Sequence, residues 1–184
     1  MAIERQDINK KSPWWGEHVY RYQTAAKYIR PGNNVLDIAC GNGYGTSLLH
    51  ELAKCNVTGA DISEETILLC RKHFEATGVK FEILNAAQLP YDDNTFDAIV
   101  SFGTIEHSND YAKIVAELCR VAKKNAAILI STPNTKIVSP KGIVENPFHL
   151  KEFTYDELHK LLSSVFSDFQ IYGQKYNRYS KKTF

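Results

Sequence analysis

Residues Asp37 to Gly45 read DIACGNGYG, with glycines at positions 41, 43 and 45 behind a short apolar run. A chain that turns this abruptly out of a buried run needs residues free to take positive φ, and glycine takes it without penalty. The stretch predicts a strand, a tight turn and a helix. Strand patterns are predicted over 34–39, 56–61, 79–85, 96–103 and 126–132, with a further one near 169–172. Helical patterns fill 16–30, 46–54, 110–123 and the segments that begin at Ser63 and Thr154. Ser63 is followed by Glu64 and Glu65, acids that suit a first helical turn, and Thr154-x-x-Glu157 is a capping box. Strands alternating with helices form right-handed crossovers. The fold class is therefore α/β, a doubly wound and mostly parallel sheet with helices on both faces.

The 184 residues suit one domain, read as a helical segment over 1–30, a core over 31–135 and a distal part over 136–184. A formal net charge of +1 leaves no electrostatic footprint for nucleic acid or a membrane surface. The tail after Gln174 carries Lys175, Arg178, Lys181 and Lys182 and reads as a solvated terminus. Cys40, Cys55, Cys70 and Cys119 are widely spaced, so neither a zinc site nor a disulfide framework is expected. With no signal-like opening and no span-length apolar run, a cytoplasmic location is expected, as monomer or homodimer.

Charge decides what the glycine turn holds. Against the dinucleotide pattern G-x-G-x-x-G, Gly41 and Gly43 fit but Thr46 stands at the third glycine. Asp37 ends the strand close to where a pyrophosphate would lie, and two anions in a low-dielectric crevice repel by several kcal/mol at order of magnitude. A cationic ligand without phosphates fits better, and S-adenosylmethionine is one. A nicotinamide dinucleotide is the disfavoured alternative.

In these residues the chain resembles the class I S-adenosylmethionine-dependent methyltransferases, in their small-molecule branch of the type 11 and 23 kind, from about Trp15 to Gln174. The resemblance implies a Rossmann-like sheet of strand order 3-2-1-4-5-7-6 and S-adenosylhomocysteine as product. It implies that Asp37 holds the methionine amino group, with Gly41 and Gly43 admitting the ligand; Ala39 stands where the family has its first glycine. Asp61, 24 residues after Asp37 and closing the second strand, takes both ribose hydroxyls. Asn85 and the Ala86 amide address the adenine, on which Ile62 packs. Phe102 is expected beside the cofactor, and Arg21 in a lid with Trp14, Trp15 and Tyr20 is expected to reach the methionine carboxylate.

After the fourth strand, Glu106-His107 resembles a pair found in small-molecule O- and N-methyltransferases. An imidazole is a suitable proton acceptor at neutral pH, so His107 is the expected base. NPFHLKEFT, residues 146–154, resembles a branch acting on sugars and secondary metabolites, with His149 and Glu152 roofing the acceptor pocket. No metal is expected, although Glu106, His107 and His149 are three residues that could share a divalent cation. The reading is methyl transfer to an oxygen or nitrogen of a small molecule, a sugar or secondary metabolite foremost. Peptide or carboxylate O-methylation, a non-catalytic partner that only binds the cofactor, and a nicotinamide oxidoreductase remain alternatives. The Pro-Pro-Tyr/Phe motif of base-amino methyltransferases is absent after strand four. Few residues follow Gln174, so a last strand short or unpaired is expected, leaving strand five or six partly open.

Overall fold

The computed structural model describes residues 15–74 and 77–174. Trp14 and the basic tail, with the expectations attached to them, lie outside these residues, as does any strand beyond Gln174. Five strands form one parallel sheet: β1 (Asn34–Ile38), β2 (Asn56–Asp61), β3 (Lys80–Ile83), β4 (Phe96–Phe102) and β5 (Ala122–Ser131). Their spatial order is β3-β2-β1-β4-β5. Strand order reverses between β1 and β4, which pair from Val35 with Ala98 to Ile38 with Ser101. A crevice opens at such a reversal, beyond the carboxyl ends of the strands.

Both faces of the sheet are covered because the central strands are apolar on both sides. Val35, Ala98, Val100 and Phe102 face helices α1 (Trp15–Ala25), α2 (Tyr44–Ala53) and α3 (Glu64–Phe74) through Tyr22, Ala25, Leu49, Ile67 and Cys70. Leu36, Ile38 and Ile99 face α4 (Tyr111–Val121) and the helix Tyr155–Ser163 through Ile114, Val115, Leu118 and Leu162. The buried positions of α4 fall three and four apart, so one stripe seats the whole helix. Each such buried side chain stabilises the fold by roughly 1.5–3 kcal/mol. The helix starts follow the sequence: Ser63 Oγ accepts from Thr66 N–H at 3.3 Å, and Thr154 with Glu157 forms the full capping box.

Three expectations change. β3 is shorter than predicted, Lys80–Ile83. β5 begins four residues early, directly after α4, and its pairing to β4 is irregular between Phe96 and Ala98. Asn125 at φ 67° lies in that irregular stretch, and Lys123, expected to end the helix, runs as strand with Lys124. Residues 169–172 form no strand. Strand pairing needs an edge to bond to, and here Phe169 and Ile171 pack instead into the apolar cluster under the helix Tyr155–Ser163. Among the described residues no strand pairs the outer edge of β5; the expected last strand falls after Gln174, outside them. No helix among them is long and apolar enough to cross a membrane.

Candidate active site

The turn after β1 is built on three positive-φ residues, Ala39 (58°), Gly41 (54°) and Gly43 (78°). Ala39 takes the left-handed conformation although it carries a Cβ that disfavours it. A Cβ on Gly41 would meet nothing within 4 Å, so its open side has room for a ligand. A Cβ on Gly43 would lie 2.9 Å from Cys70 Sγ and from the Phe81 ring. The third alternate glycine, Gly45, serves packing: a Cβ there would sit 2.0 Å from the Tyr22 ring.

Asp61 is half-buried at the end of β2 and holds the turn in place. One oxygen accepts from Gly41 N–H at 3.1 Å, the other from Ser63 N–H at 2.9 Å. Each carboxylate oxygen has a second acceptor position, so the group can still receive hydroxyls. Ile62 is 69% exposed beside it. Asn85 is exposed and its Oδ1 accepts from Ala87 N–H at 2.9 Å, with half-buried Ala86 between them. These groups lie at and just beyond the carboxyl ends of β2 and β3.

Asp37 is fully buried. Thr46 Oγ1 donates to it at 2.6 Å, and the Tyr22 hydroxyl donates at 3.3 and 3.4 Å to its two oxygens. Burial pushes the Asp37 carboxyl up to about 7, and nearby Asp61 adds to this, while the Thr46 and Tyr22 hydrogen bonds pull it down. Burial likewise drives the Tyr22 hydroxyl well above its ordinary range, as does the Asp37 charge. Thr46 and Tyr22 were not identified from sequence: Thr46 registers there only as a missing glycine. Phe102 does not face the crevice openly; its ring is buried and packs edge-on against Tyr22 at 5.1 Å.

Across the reversal, the 3-10 turn Ile105–His107 follows β4. Glu106 is 2% exposed, and its Oε2 accepts from Thr132 Oγ1 at 3.1 Å. Burial raises the Glu106 carboxyl; its own hydrogen bonding and the His107 and His149 rings oppose that rise. The 146–153 loop is fastened to this turn, because the Leu150 and Lys151 N–H groups both donate to Glu106 O, at 2.8 and 3.1 Å. His107 Nδ1 bonds Phe148 O at 2.9 Å. A carbonyl only accepts, so Nδ1 carries the hydrogen and the neutral ring has its lone pair on Nε2. The His107 and His149 rings meet edge to face at 5.1 Å.

Arg21 lies over the same side, and its charge reaches Glu106 and Tyr44. Its Nε donates to Gln174 Oε1 at 2.7 Å and its guanidinium lies 3.6 Å from Glu17. Those partners occupy the group expected at a ligand carboxylate. Burial lowers its pKa, and beside it burial drops His18 to about 4.

One ligand atom each from Glu106, His107 and His149 lies within 4.8 Å of the others. That spacing would admit a divalent cation. His149 is already bonded at both nitrogens, Nδ1 to Glu152 Oε1 at 2.8 Å and Nε2 to the Asn146 amide at 3.0 Å. A cation at His149 would have to displace one of them.

Residues 29–181 match the family described as methyltransferase domain. A protein of Mycolicibacterium smegmatis, named a probable S-adenosylmethionine-dependent methyltransferase, is 36% identical over 159 residues, 86% of this chain and 60% of the relative. The demethylmenaquinone methyltransferase of Shouchella clausii is 36% identical over 107 residues, 55% of this chain and 45% of its own length. The chain thus spans about half to three-fifths of the curated relatives it matches. The solved YcgJ protein of Bacillus subtilis superposes with a TM-score of 0.68 at 24% identity, covering 81% of this chain and 67% of that one. That likeness shows the fold. With the family match over most of its length, the chain belongs to the class I S-adenosylmethionine-dependent methyltransferases.

Proposed function

We propose that this chain binds S-adenosylmethionine beyond β1 and β2 and methylates an oxygen or nitrogen of a small molecule, a sugar or secondary metabolite foremost. One observation carries the reading: Asp61 holds the N–H of Gly41 beside that glycine's open side, buried Asp37 at the end of β1 lies close enough to feel its charge, and Glu106 and His107 follow β4 across the strand reversal. Two acids beside an open glycine turn suit a cation and repel a pyrophosphate, which disfavours the nicotinamide alternative. When bound, the cofactor supplies an electrophilic methyl group on a sulfonium.

The residues divide the remaining work. Asp61 receives the ribose hydroxyls on its second acceptor positions and keeps the turn closed through Gly41. Asp37 balances the ligand ammonium, and a cation there favours its ionised form. Asn85, Ala86 and Ile62 bound the adenine edge. His107 Nε2 takes the proton that the acceptor loses as its oxygen or nitrogen gains the methyl group, and Glu106 steadies the resulting imidazolium.

Calorimetric titration with S-adenosylhomocysteine and with NAD tests the cofactor. Binding of the first and not the second supports the reading; the reverse defeats it. Methyl release from labelled cofactor, run on a panel of sugars, phenols, carboxylates and amines, then identifies the acceptor class and separates an enzyme from a binding partner.

A further inference from the structure

We infer that Glu152, His149 and Asn146 are positioning residues that fix which nitrogen of His107 carries its lone pair. The inference rests on the reading of His107 as the proton acceptor. An imidazole has no strong preference of its own between its two neutral forms, so a neighbour must choose. Here the neighbour is a backbone carbonyl, that of Phe148, at 2.9 Å from Nδ1. Phe148 sits in the 146–153 loop, in which no helix or strand fixes its carbonyl.

Side chains do that instead. Asn146 Oδ1 accepts from Phe148 N–H at 3.0 Å, and His149 N–H returns to Asn146 O at 3.1 Å. The Asn146 amide nitrogen can only donate, so at 3.0 Å it makes His149 Nε2 an acceptor. The hydrogen of neutral His149 is then on Nδ1, where Glu152 Oε1 receives it at 2.8 Å. The Glu152 side chain is 2% exposed and the His149 side chain 9%, so water does not compete effectively for these bonds. Each donor and acceptor role follows from the one before it. Glu106 O anchors the far half of the loop through Leu150 and Lys151.

The result is a cradle built around one ring. If the Phe148 carbonyl drifts, Nδ1 can lose its hydrogen and the lone pair points into protein rather than toward an acceptor. His149, expected in the roof of the acceptor pocket, thereby acts through His107. Glu152 acts one step further back.

The test is 15N NMR of the histidine rings in the full chain saturated with S-adenosylhomocysteine, for the wild type, Asn146→Ala, Glu152→Leu and Glu152→Gln. In the wild type, His107 is expected with hydrogen on Nδ1 alone, and so is His149. Asn146→Ala and Glu152→Leu should turn His107 into a mixture of both forms. Glu152→Gln should keep the wild-type pattern, because its amide oxygen accepts the same hydrogen. Affinity for S-adenosylhomocysteine should stay within about twofold throughout, since none of the three residues faces that ligand. Should Glu152→Leu not fold, half-buried Asn146 still gives the decisive variant. A His107 that keeps one form in Asn146→Ala overturns the inference, and so does a wild-type His149 lacking hydrogen on Nδ1. A stoichiometric divalent cation ligated by both rings overturns it too. Failure of the wild type to bind S-adenosylhomocysteine overturns the functional reading instead, and the ring forms then still decide whether the cradle sets His107.

Discussion

Thr46 donates a 2.6 Å hydrogen bond to Asp37 from the first turn of α2, at the position where a dinucleotide loop would place a glycine. The bond ties the helix to the end of β1 and offsets part of the cost of burying a carboxylate. Without it, burial would hold Asp37 still more firmly protonated, and a cationic ligand would find a weaker counter-charge.

The buried Asp37 should leave a signature in the pH dependence of stability. Its folded pKa, about 7, lies above its ordinary 3.8, so the folded state holds the proton more tightly than the unfolded one. The group's stabilising contribution is full below about pH 3.8 and is lost as pH rises through 7, a swing on the order of a few kcal/mol. Glu106, also raised by burial, acts in the same direction. His18, lowered by burial to about 4, acts in the opposite direction up to about pH 6.5, so the Asp37 contribution is read as a difference between two proteins. In denaturant unfolding at steps from pH 4.5 to 7.5, the wild type should lose stability relative to Asp37→Asn as pH rises. An unchanged slope in that variant would show that the carboxyl is not the source.

Ala39 holds φ 58° where a glycine would cost nothing. Ala39→Gly should raise the unfolding free energy by about 0.5–1 kcal/mol, the left-handed penalty less the extra entropy of an unfolded glycine. Urea melts of the two proteins side by side measure it. A loss of stability would mean that the Cβ makes a contact worth more than the strain.

Asp61→Ala removes the acceptor of Gly41 N–H together with the proposed ribose contacts. Affinity for S-adenosylhomocysteine should fall by roughly 2–4 kcal/mol, since bonds to a charged acceptor contribute more than neutral ones. Calorimetry reads the change directly. Asp61→Asn should lose less, because one amide oxygen can still accept.

His107→Ala should leave that affinity nearly untouched and slow methyl transfer by roughly 10²–10⁴, the usual contribution of a positioned base. His149→Ala should cost less, because it loosens the cradle without removing the ring that takes the proton. Single-turnover rates on an accepted substrate compare the two. Equal losses would instead point to one shared centre, with a cation among the explanations.

Glycine spacing made the β1–α2 turn readable, because few local structures need three glycines at alternate positions. Asp61 was readable from its place at a strand end, and Thr154 from a four-residue pattern. What escaped was tertiary. Tyr22 reaches Asp37 from a different helix, and no local pattern marks such a contact. The Phe148 carbonyl acts on His107 across 41 positions of chain, and a backbone atom carries no residue signature at all. Glu152 and His149 are three apart in a loop, where helical spacing says nothing about facing. Lys123 looked like the end of a helix because the left-handed bend at Asn125 was not foreseeable from composition. The alternating residues 169–172 had a strand's pattern but found an apolar cluster to pack on rather than a strand to pair with.

Among the described residues the outer margin of β5 stays unpaired, which also bears on how the protein behaves in concentrated solution. Ala126, Ala127, Ile128, Leu129 and Ile130 form an uncharged run, half-buried along the sheet's outermost strand. Backbone amides and carbonyls along such a rim can recruit a strand from another molecule, the first step towards ordered aggregates. Lys123 and Lys124 stand just ahead of the run, and Asn125 bends the backbone between them and it. Lys123 is held in an ion pair with Asp97 at 2.8 Å, so the charge of Lys124 and the broken register at Asn125 are what oppose such recruitment at that end, a burden the sheet's paired interior never carries.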